Sequence, residues 1–190
     1  MFIARKGGRH EGLAQGQFDG RTQLERADRV RAGQLASTHR RGGSAREGHW
    51  YEHYVPLIGR PQVDYMVSRF QTAPAIEAQI GDGYEYFLVA RDGRHLGYLA
   101  VQEQHAERMF ISKLYVTKEA RGTGTGRACM EFIEQTARSR GLSRLWLTVS
   151  KRNPAVQAYE RLGFRIAEPI VMDIGGGFVM DDFRMERDLN

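Results

Sequence analysis

The stretch E119-ARGTGTGRACMEF-132 decides the fold. Gly122, Gly124 and Gly126 alternate with Thr123 and Thr125, and a helix-like text follows directly. Three glycines in five residues are costly, because glycine loses more conformational freedom on folding than any other residue. Such a stretch is retained where bare backbone is needed. Upstream, "RMFISKLYVT" (108–117) reads as a strand that runs through "KEA" into the glycines. Downstream, "GRACMEFIEQTARSRG" (126–141) sets Cys129, Phe132, Ile133 and Ala137 on one helical face, and Gly141 stops it. The loop therefore joins the end of a strand to the start of a helix.

Working outward, the other elements follow from the same periodicities. "YEYFLVA" (84–90) and "HLGYLAVQ" (95–102) alternate as strands around the hairpin signal "RDG". "SRLWLTVS" (143–150) is a further strand. "NPAVQAYERLG" (153–163) is a short helix with Asn153 as N-cap, Pro154 at its first position and Gly163 as terminator. "FRIAEPIVMDI" (164–174) and "FVMDDFRMERDL" (178–189) are two last strands separated by three glycines. On the N-terminal side, "PQVDYMVSRFQ" (61–71) and "APAIEAQI" (73–80) carry helical spacing. The order predicts an α/β (α+β) fold, a mixed, largely antiparallel central sheet flanked by helices.

Residues 1–48 differ in character from 49–190. They contain nine glycines and ten Lys/Arg against five Asp/Glu, so the whole net charge of +5 resides there and the remainder is neutral. That localisation removes the argument for a nucleic-acid surface on the folded body, and no nucleic-acid partner is expected. The segment reads as a basic, Gly/Arg-rich arm, solvated and poorly ordered, with one loosely patterned helix candidate over 21–38 (Leu24, Ala27, Val30, Leu35). The single cysteine, Cys129, gives no disulfide framework, and on the apolar helix face it reads as a core thiol. With no signal-peptide run and no apolar stretch of membrane-spanning length, a cytoplasmic protein without a membrane partner is expected. The six histidines show no metal-ligand spacing, so no metal is expected.

A strand-to-helix glycine loop aims backbone N–H groups and the helix dipole at one point, a geometry suited to phosphate. A P-loop would require Gly-Lys followed by Ser or Thr, which this loop lacks. A dinucleotide fingerprint starting at Gly122 and Gly124 would require glycine where Arg127 stands, and an acidic residue about twenty positions on, where "LWLTVS" runs instead. The run Arg121-Gly122-Thr123-Gly124-Thr125-Gly126 resembles the Arg/Gln-x-x-Gly-x-Gly/Ala signature of the GCN5-related N-acetyltransferases. "NPAVQAYERLGF" resembles that family's second signature, a tyrosine-bearing helix ending in Leu-Gly-Phe. Together the two motifs and the element order extend the resemblance over about residues 50–189 and imply the GNAT fold of acyl-CoA N-acyltransferases.

The resemblance implies transfer of the acetyl group of acetyl-CoA, a co-substrate, to a primary amine by direct attack. It implies that Gly122, Thr123, Gly124, Thr125 and Gly126 cradle the pyrophosphate, with Arg121 and Arg127 in reach of phosphate oxygens. The backbone of Tyr115 and Val116 is expected along the acetyl and pantetheine arm, on a strand that splays from its neighbour. Tyr159 is the expected general acid for the leaving thiolate, although a core tyrosine on the stripe Ala155–Tyr159–Leu162 would show the same spacing. Asn153 serves equally as N-cap or cofactor contact. The acceptor is a small amine, a polyamine, an aminoglycoside-like compound or a peptide amine, and the family permits a homodimer.

The pattern departs from the family at two places. A glutamate common two residues before "LYV" is replaced by Ser112, which leaves the general base without a name; Asp181 and Asp182 are nearby carboxylates that would suit a cationic acceptor. "THRRGGSAREG" (38–48) stands where a first helix should continue, so the segment is either a divergent cover or an encoded start unlike the native one. The alternative function is a non-catalytic acyl-CoA-binding module tethered by its basic arm.

Overall fold

The computed structural model describes residues 15–18, 22–27 and 49–189. One eight-stranded sheet runs in the order β1-β2-β3-β4-β5-β6-β8-β7. Its strands are β1 (Gln15–Phe18), β2 (Thr22–Ala27), β3 (Tyr84–Arg91), β4 (Arg94–Gln104), β5 (Arg108–Val116), β6 (Arg144–Ser150), β7 (Arg165–Gly175) and β8 (Phe178–Asp188). Every neighbouring pair is antiparallel except β5 with β6, which is parallel because α4 (Thr125–Ser139) crosses between them. The mixed, largely antiparallel sheet expected from the sequence is the sheet observed.

Two layers cover it. On one face α4 buries Cys129, Phe132, Ile133 and Ala137 against Phe87, Leu99, Met109, Leu145 and Met185, and α5 (Ala155–Arg161) packs beside it. The predicted apolar stripe of α4 is the stripe that is buried, and the Cys129 thiol belongs to this core. On the other face α3 (Ala73–Gly81) sets Ile76 on Tyr86, Leu88, Tyr98 and Ala100. α1 (His49–Ile58) and α2 (Arg60–Phe70) precede it, divided by Gly59 at φ 80°. The Gln62 amide of α2 donates to the Val179 carbonyl and the Tyr65 phenol to the Ile174 carbonyl, which docks α2 on the β7–β8 hairpin.

The helix expected over 21–38 is corrected at its start: Thr22–Ala27 is a strand paired along the whole of its length with β3. Thr22 and Leu24 are buried and Gln23 is exposed, a period of two that the i, i+3 spacing of Leu24 and Ala27 concealed. Leu24 is 1% exposed and joins the α4 core, so this part of the basic segment is not a solvated arm. The rest of that helix candidate and "THRRGGSAREG" lie outside the described residues.

Two irregularities open the sheet. Ala100 pairs with Lys113 and Val101 with Ile111, so Ser112 is an extra residue on β5, a bulge. Bulges bend and twist the strand that carries them. The β5–β6 pairing runs from Arg108–Arg144 to Ile111–Leu147 and ends there, at the bulge. Beyond it Lys113–Val116 and Thr148–Ser150 diverge.

Candidate active site

The divergence opens a cavity of about 1020 Å³, lined from α1, α2, β5, β6, α5 and β8. That is the size of a ligand site. The elements that meet there explain which side chains it holds. Residues alternate across a strand, so Leu147 and Val149 point into the α4 core while Thr148 and Ser150 face the α1–α2 layer. On β8, Asp182 pairs with Ser150 and shares that second face.

The glycine loop sits at the end of splayed β5. Gly122 and Gly124 adopt φ of 75° and 86°, the left-handed region that favours glycine, and none of the described residues lies within 4 Å of where a Cβ would stand on Gly122, Gly124 or Gly126. The loop backbone thus borders open space. Gly124 is the N-cap of α4 and, having no side chain, makes no side-chain cap, which leaves first-turn N–H groups for a ligand. These features fit a pyrophosphate. The threonines are used differently: Thr123 Oγ1 donates to the Ala120 carbonyl and lies 3.0 Å from Thr125 Oγ1, which accepts from Arg91. Their hydroxyls brace the loop.

The other predicted positions separate into two groups. Tyr115, Val116, Arg121, Gly126, Asn153 and Tyr159 all line the cavity. Arg121 Nε donates to the Val116 carbonyl at 3.2 Å, placing a guanidinium at the mouth of the splay. Asn153 is buried, accepts from the Ala155 N–H as a helix cap and bonds His53 as well. Arg127 is instead exposed and pairs with Glu131 one turn along α4.

Tyr159 enters the cavity from α5, with Phe164 edge-on at 5.7 Å. Burial raises its phenol, and the neighbouring Tyr54 raises it further. Tyr54, from α1, is pushed up to about 12 by burial and by the charge of Asp182. Both phenols therefore remain protonated and act as donors at neutral pH. Asp182 is 5% exposed and its carboxyl is raised to about 6, first by burial and then by Asp181; a bond from Thr148 and the Lys151 ammonium pull it down. His53, which meets Tyr54 edge-on at 4.7 Å, is lowered by burial and by Arg121. Two phenols, a buried carboxyl and the Arg121 and Gly126 ends of the glycine loop thus line one cavity.

His53, Tyr54, Thr148 and Gln71 were not readable as site residues. The aromatic cluster "HWYEHY" was the only available signal for the first two, and it carries no spacing that specifies chemistry.

The acetyltransferase (GNAT) family model matches residues 49–164, most of the chain. An uncharacterized N-acetyltransferase of Mycobacterium bovis is 34% identical over 136 residues, 70% of this chain and 86% of that protein. The chain belongs to the GNAT acetyltransferase family. As a GNAT protein it is an acetyl-CoA-dependent N-acetyltransferase. Streptothricin acetyltransferase of Streptomyces lavendulae is 37% identical over 90 residues, 46% of this chain, and the chain spans about half (48%) of that relative's length. The PaiA N-acetyltransferase of Thermoplasma acidophilum, solved with coenzyme A, superposes with a TM-score of 0.67 at 14% identity, over 88% of this chain and 98% of that one. That likeness shows the fold. Among the described residues no helix is long and apolar enough to cross a membrane.

Proposed function

We propose that this GNAT enzyme acetylates a primary amine of a cationic small molecule by direct attack on acetyl-CoA, with Tyr159 as general acid. The observation that carries the reading is the convergence, at the splay of β5 from β6, of the glycine loop from one layer and a buried carboxylate from the other. In this reading the backbone of Gly122–Gly126 and the Arg121 guanidinium hold the pyrophosphate, and the Tyr115–Val116 edge accompanies the pantetheine arm. The thioester then lies between Tyr159 on the α5 side and Tyr54 on the α1 side.

An alkylammonium of pKa about 10.4 must lose a proton before it attacks, a cost of about 4.6 kcal/mol near pH 7 at ~1.36 kcal/mol per unit. The free amine forms the C–N bond, the C–S bond breaks, and the thiolate takes the Tyr159 proton. A phenol raised by burial suits that role, because it stays protonated until the thiolate appears. The Asp181 and Asp182 carboxylates on the β8 wall of the cavity favour a cationic acceptor, and the relative named for streptothricin supports trying an antibiotic amine first.

Thermal melting with acetyl-CoA, together with thiol release in the presence of streptothricin, spermidine or butylamine, tests the reading. Ligand at about 100 times Kd should add about 2.7 kcal/mol, which raises Tm by several degrees at ~2–4 °C per kcal/mol. Thiol release should require an amine. A cooperative melt that acetyl-CoA does not move would overturn the reading.

A further inference from the structure

The three glycines between β7 and β8 have so far no part in the site. Gly175, Gly176 and Gly177 take φ of 86°, 64° and 78°, so backbone conformation favours glycine at each. At Gly177 that is the whole account, because none of the described residues lies within 4 Å of where a Cβ would stand. The other two carry a second constraint. A Cβ on Gly175 would lie 2.6 Å from the Tyr65 phenol oxygen, and one on Gly176 would lie 2.8 Å from Tyr65 Cε2. Side chains do not approach one another so closely, so Gly175 and Gly176 form a seat for the Tyr65 ring.

Other contacts hold the ring in that seat. The Tyr65 phenol donates to the Ile174 carbonyl at 2.7 Å, the Phe178 ring lies 5.3 Å away and the Arg69 guanidinium 5.9 Å. Ile174 is the extra residue of a bulge, since Asp173 pairs with Val179 and Gly175 with Phe178. Nearly one turn earlier on α2, the Gln62 amide donates to the Val179 carbonyl at 2.8 Å.

The position of this hairpin tip bears on the cavity. β8 pairs with β6 only as far as Asp182, opposite Ser150, and one further bond joins the Lys151 N–H to the Asp181 carbonyl. Beyond that point β7 and β8 form a two-stranded ribbon, which is marginal on its own in water. Val179 and Met180 of the ribbon line the cavity, as do Gln62 and Met66 of α2. The seam between α2 and the tip is therefore part of the cavity wall.

We propose that Tyr65, seated on Gly175 and Gly176, is the latch that fixes the β7–β8 tip on α2 and with it the β8 wall that the amine meets. The inference rests on the acetyltransfer reading above. Tyr65 is a positioning residue: it acts on the amine through the wall, so it sets the acceptor KM and leaves chemistry and the hold on acetyl-CoA alone. An amine large enough to reach the tip depends on the latch more than a short one.

The test follows thiol release by the full chain with streptothricin, or spermidine where streptothricin is refused, and with butylamine, alongside calorimetric binding of acetyl-CoA. Tyr65→Ala should raise KM for the larger amine at least ~10-fold, within the ~10²-fold that a displacement of about 1 Å can cost. Its kcat, butylamine KM and acetyl-CoA Kd should change little. Gly176→Ala should raise the same KM in the wild-type background and add nothing to Tyr65→Ala, because its clash is with that ring. Gly177→Ala is the control: an alanine there bears a like backbone cost without meeting the ring, so it should lose stability and keep the wild-type KM. Tyr65→Phe keeps the ring and loses the bond to Ile174, so its KM should lie between wild type and Tyr65→Ala; it also covers the case in which Tyr65→Ala does not fold. Amide hydrogen exchange of the unliganded chain, which needs no amine, should be faster over residues 170–180 in Tyr65→Ala than in wild type. A larger-amine KM unmoved by Tyr65→Ala or Gly176→Ala, or moved equally by Gly177→Ala, would overturn the latch, and so would unchanged exchange. A wild-type protein that releases thiol with none of the three amines would overturn the acetyltransfer reading, while the exchange result still judges the latch.

Discussion

Tyr159 and Asp182 have raised pKa values for the same first reason, burial, and the consequence is opposite for the two. A buried phenol keeps its proton and remains an acid for the thiolate. A buried carboxyl still ionises below neutrality and becomes a better base. Tyr159→Phe should therefore lower kcat by ~10²–10³ without weakening acetyl-CoA, as stopped turnover and calorimetry would read. A packing tyrosine would instead lose stability with kcat intact. Asp182 also marks the pH dependence of the fold. Its carboxyl is raised above the unfolded value of 3.8, so the folded state binds the extra proton and stability grows as pH falls from about 6 towards 4. Removing that burden should make Asp182→Asn more stable than wild type at pH 7.5 by about 1–2 kcal/mol, at ~1.36 kcal/mol per unit, and equal to it near pH 4. Urea titrations at the two pH values would show the difference. The sequence displayed Tyr159 because its helix carries a family signature. Gln71 and Tyr54 carried none: each becomes a site residue only when α1 and α2 fold over strands about a hundred residues away.

At the scale of the element, the bulge at Ser112 and the glycine at position 97 set the opening together. Gly97 pairs with Val116 on β5, and a Cβ on it would lie 2.0 Å from the Tyr115 carbonyl oxygen. Side chains never approach backbone so closely, so β4 holds β5 at this distance only because residue 97 has no side chain. Gly97→Ala must push β5 away where it lines the cavity. We expect a loss of more than ~3 kcal/mol, the size reserved for severe steric or buried-polar disruption, and a weaker acetyl-CoA Kd in any protein that still folds. A urea midpoint and acetyl-CoA affinity matching wild type would show that the strands adjust freely. The same scale shows what periodicity could and could not reveal. α4 was legible because its apolar stripe, Cys129 to Ala137, runs over more than two turns, and β5 because it alternates until the bulge. β2 was misread because Thr22 and Leu24, the buried positions among its described side chains, are too few to separate a period of two from one of 3.6. The splay itself was expected only from the family resemblance, since no residue pattern announces where two paired strands part.

Across the whole molecule, β2 ties the edge of the sheet to the cofactor loop. The Thr22 hydroxyl accepts from Arg91 Nε and Nη2 at 3.2 and 2.9 Å, and the same Nη2 lies 3.4 Å from Thr125 Oγ1 at the start of α4. Thr125 in turn touches Thr123, which bonds the Ala120 carbonyl. A continuous chain of side chains therefore runs from β2 to the glycine loop. Leu24, two residues along β2, contributes by apolar packing alone. Two substitutions separate cover from coupling. Leu24→Ala should cost about 2–4 kcal/mol, as buried leucines do, and lower Tm by roughly 5–15 °C at ~2–4 °C per kcal/mol. Its acetyl-CoA Kd should stay near wild type, because the packing it loses does not touch the loop. Thr22→Val keeps the shape but removes that acceptor from the half-buried Arg91 guanidinium, a loss of about 1–3 kcal/mol. With the Thr22–Arg91 bonds gone, the brace from Arg91 to Thr125 and the loop is weakened, so Thr22→Val should weaken acetyl-CoA several-fold in protein that remains folded. Calorimetry on both variants well below their melting points decides the matter. If both variants bind acetyl-CoA like wild type, β2 is a cover and the hydrogen-bond chain transmits nothing to the site.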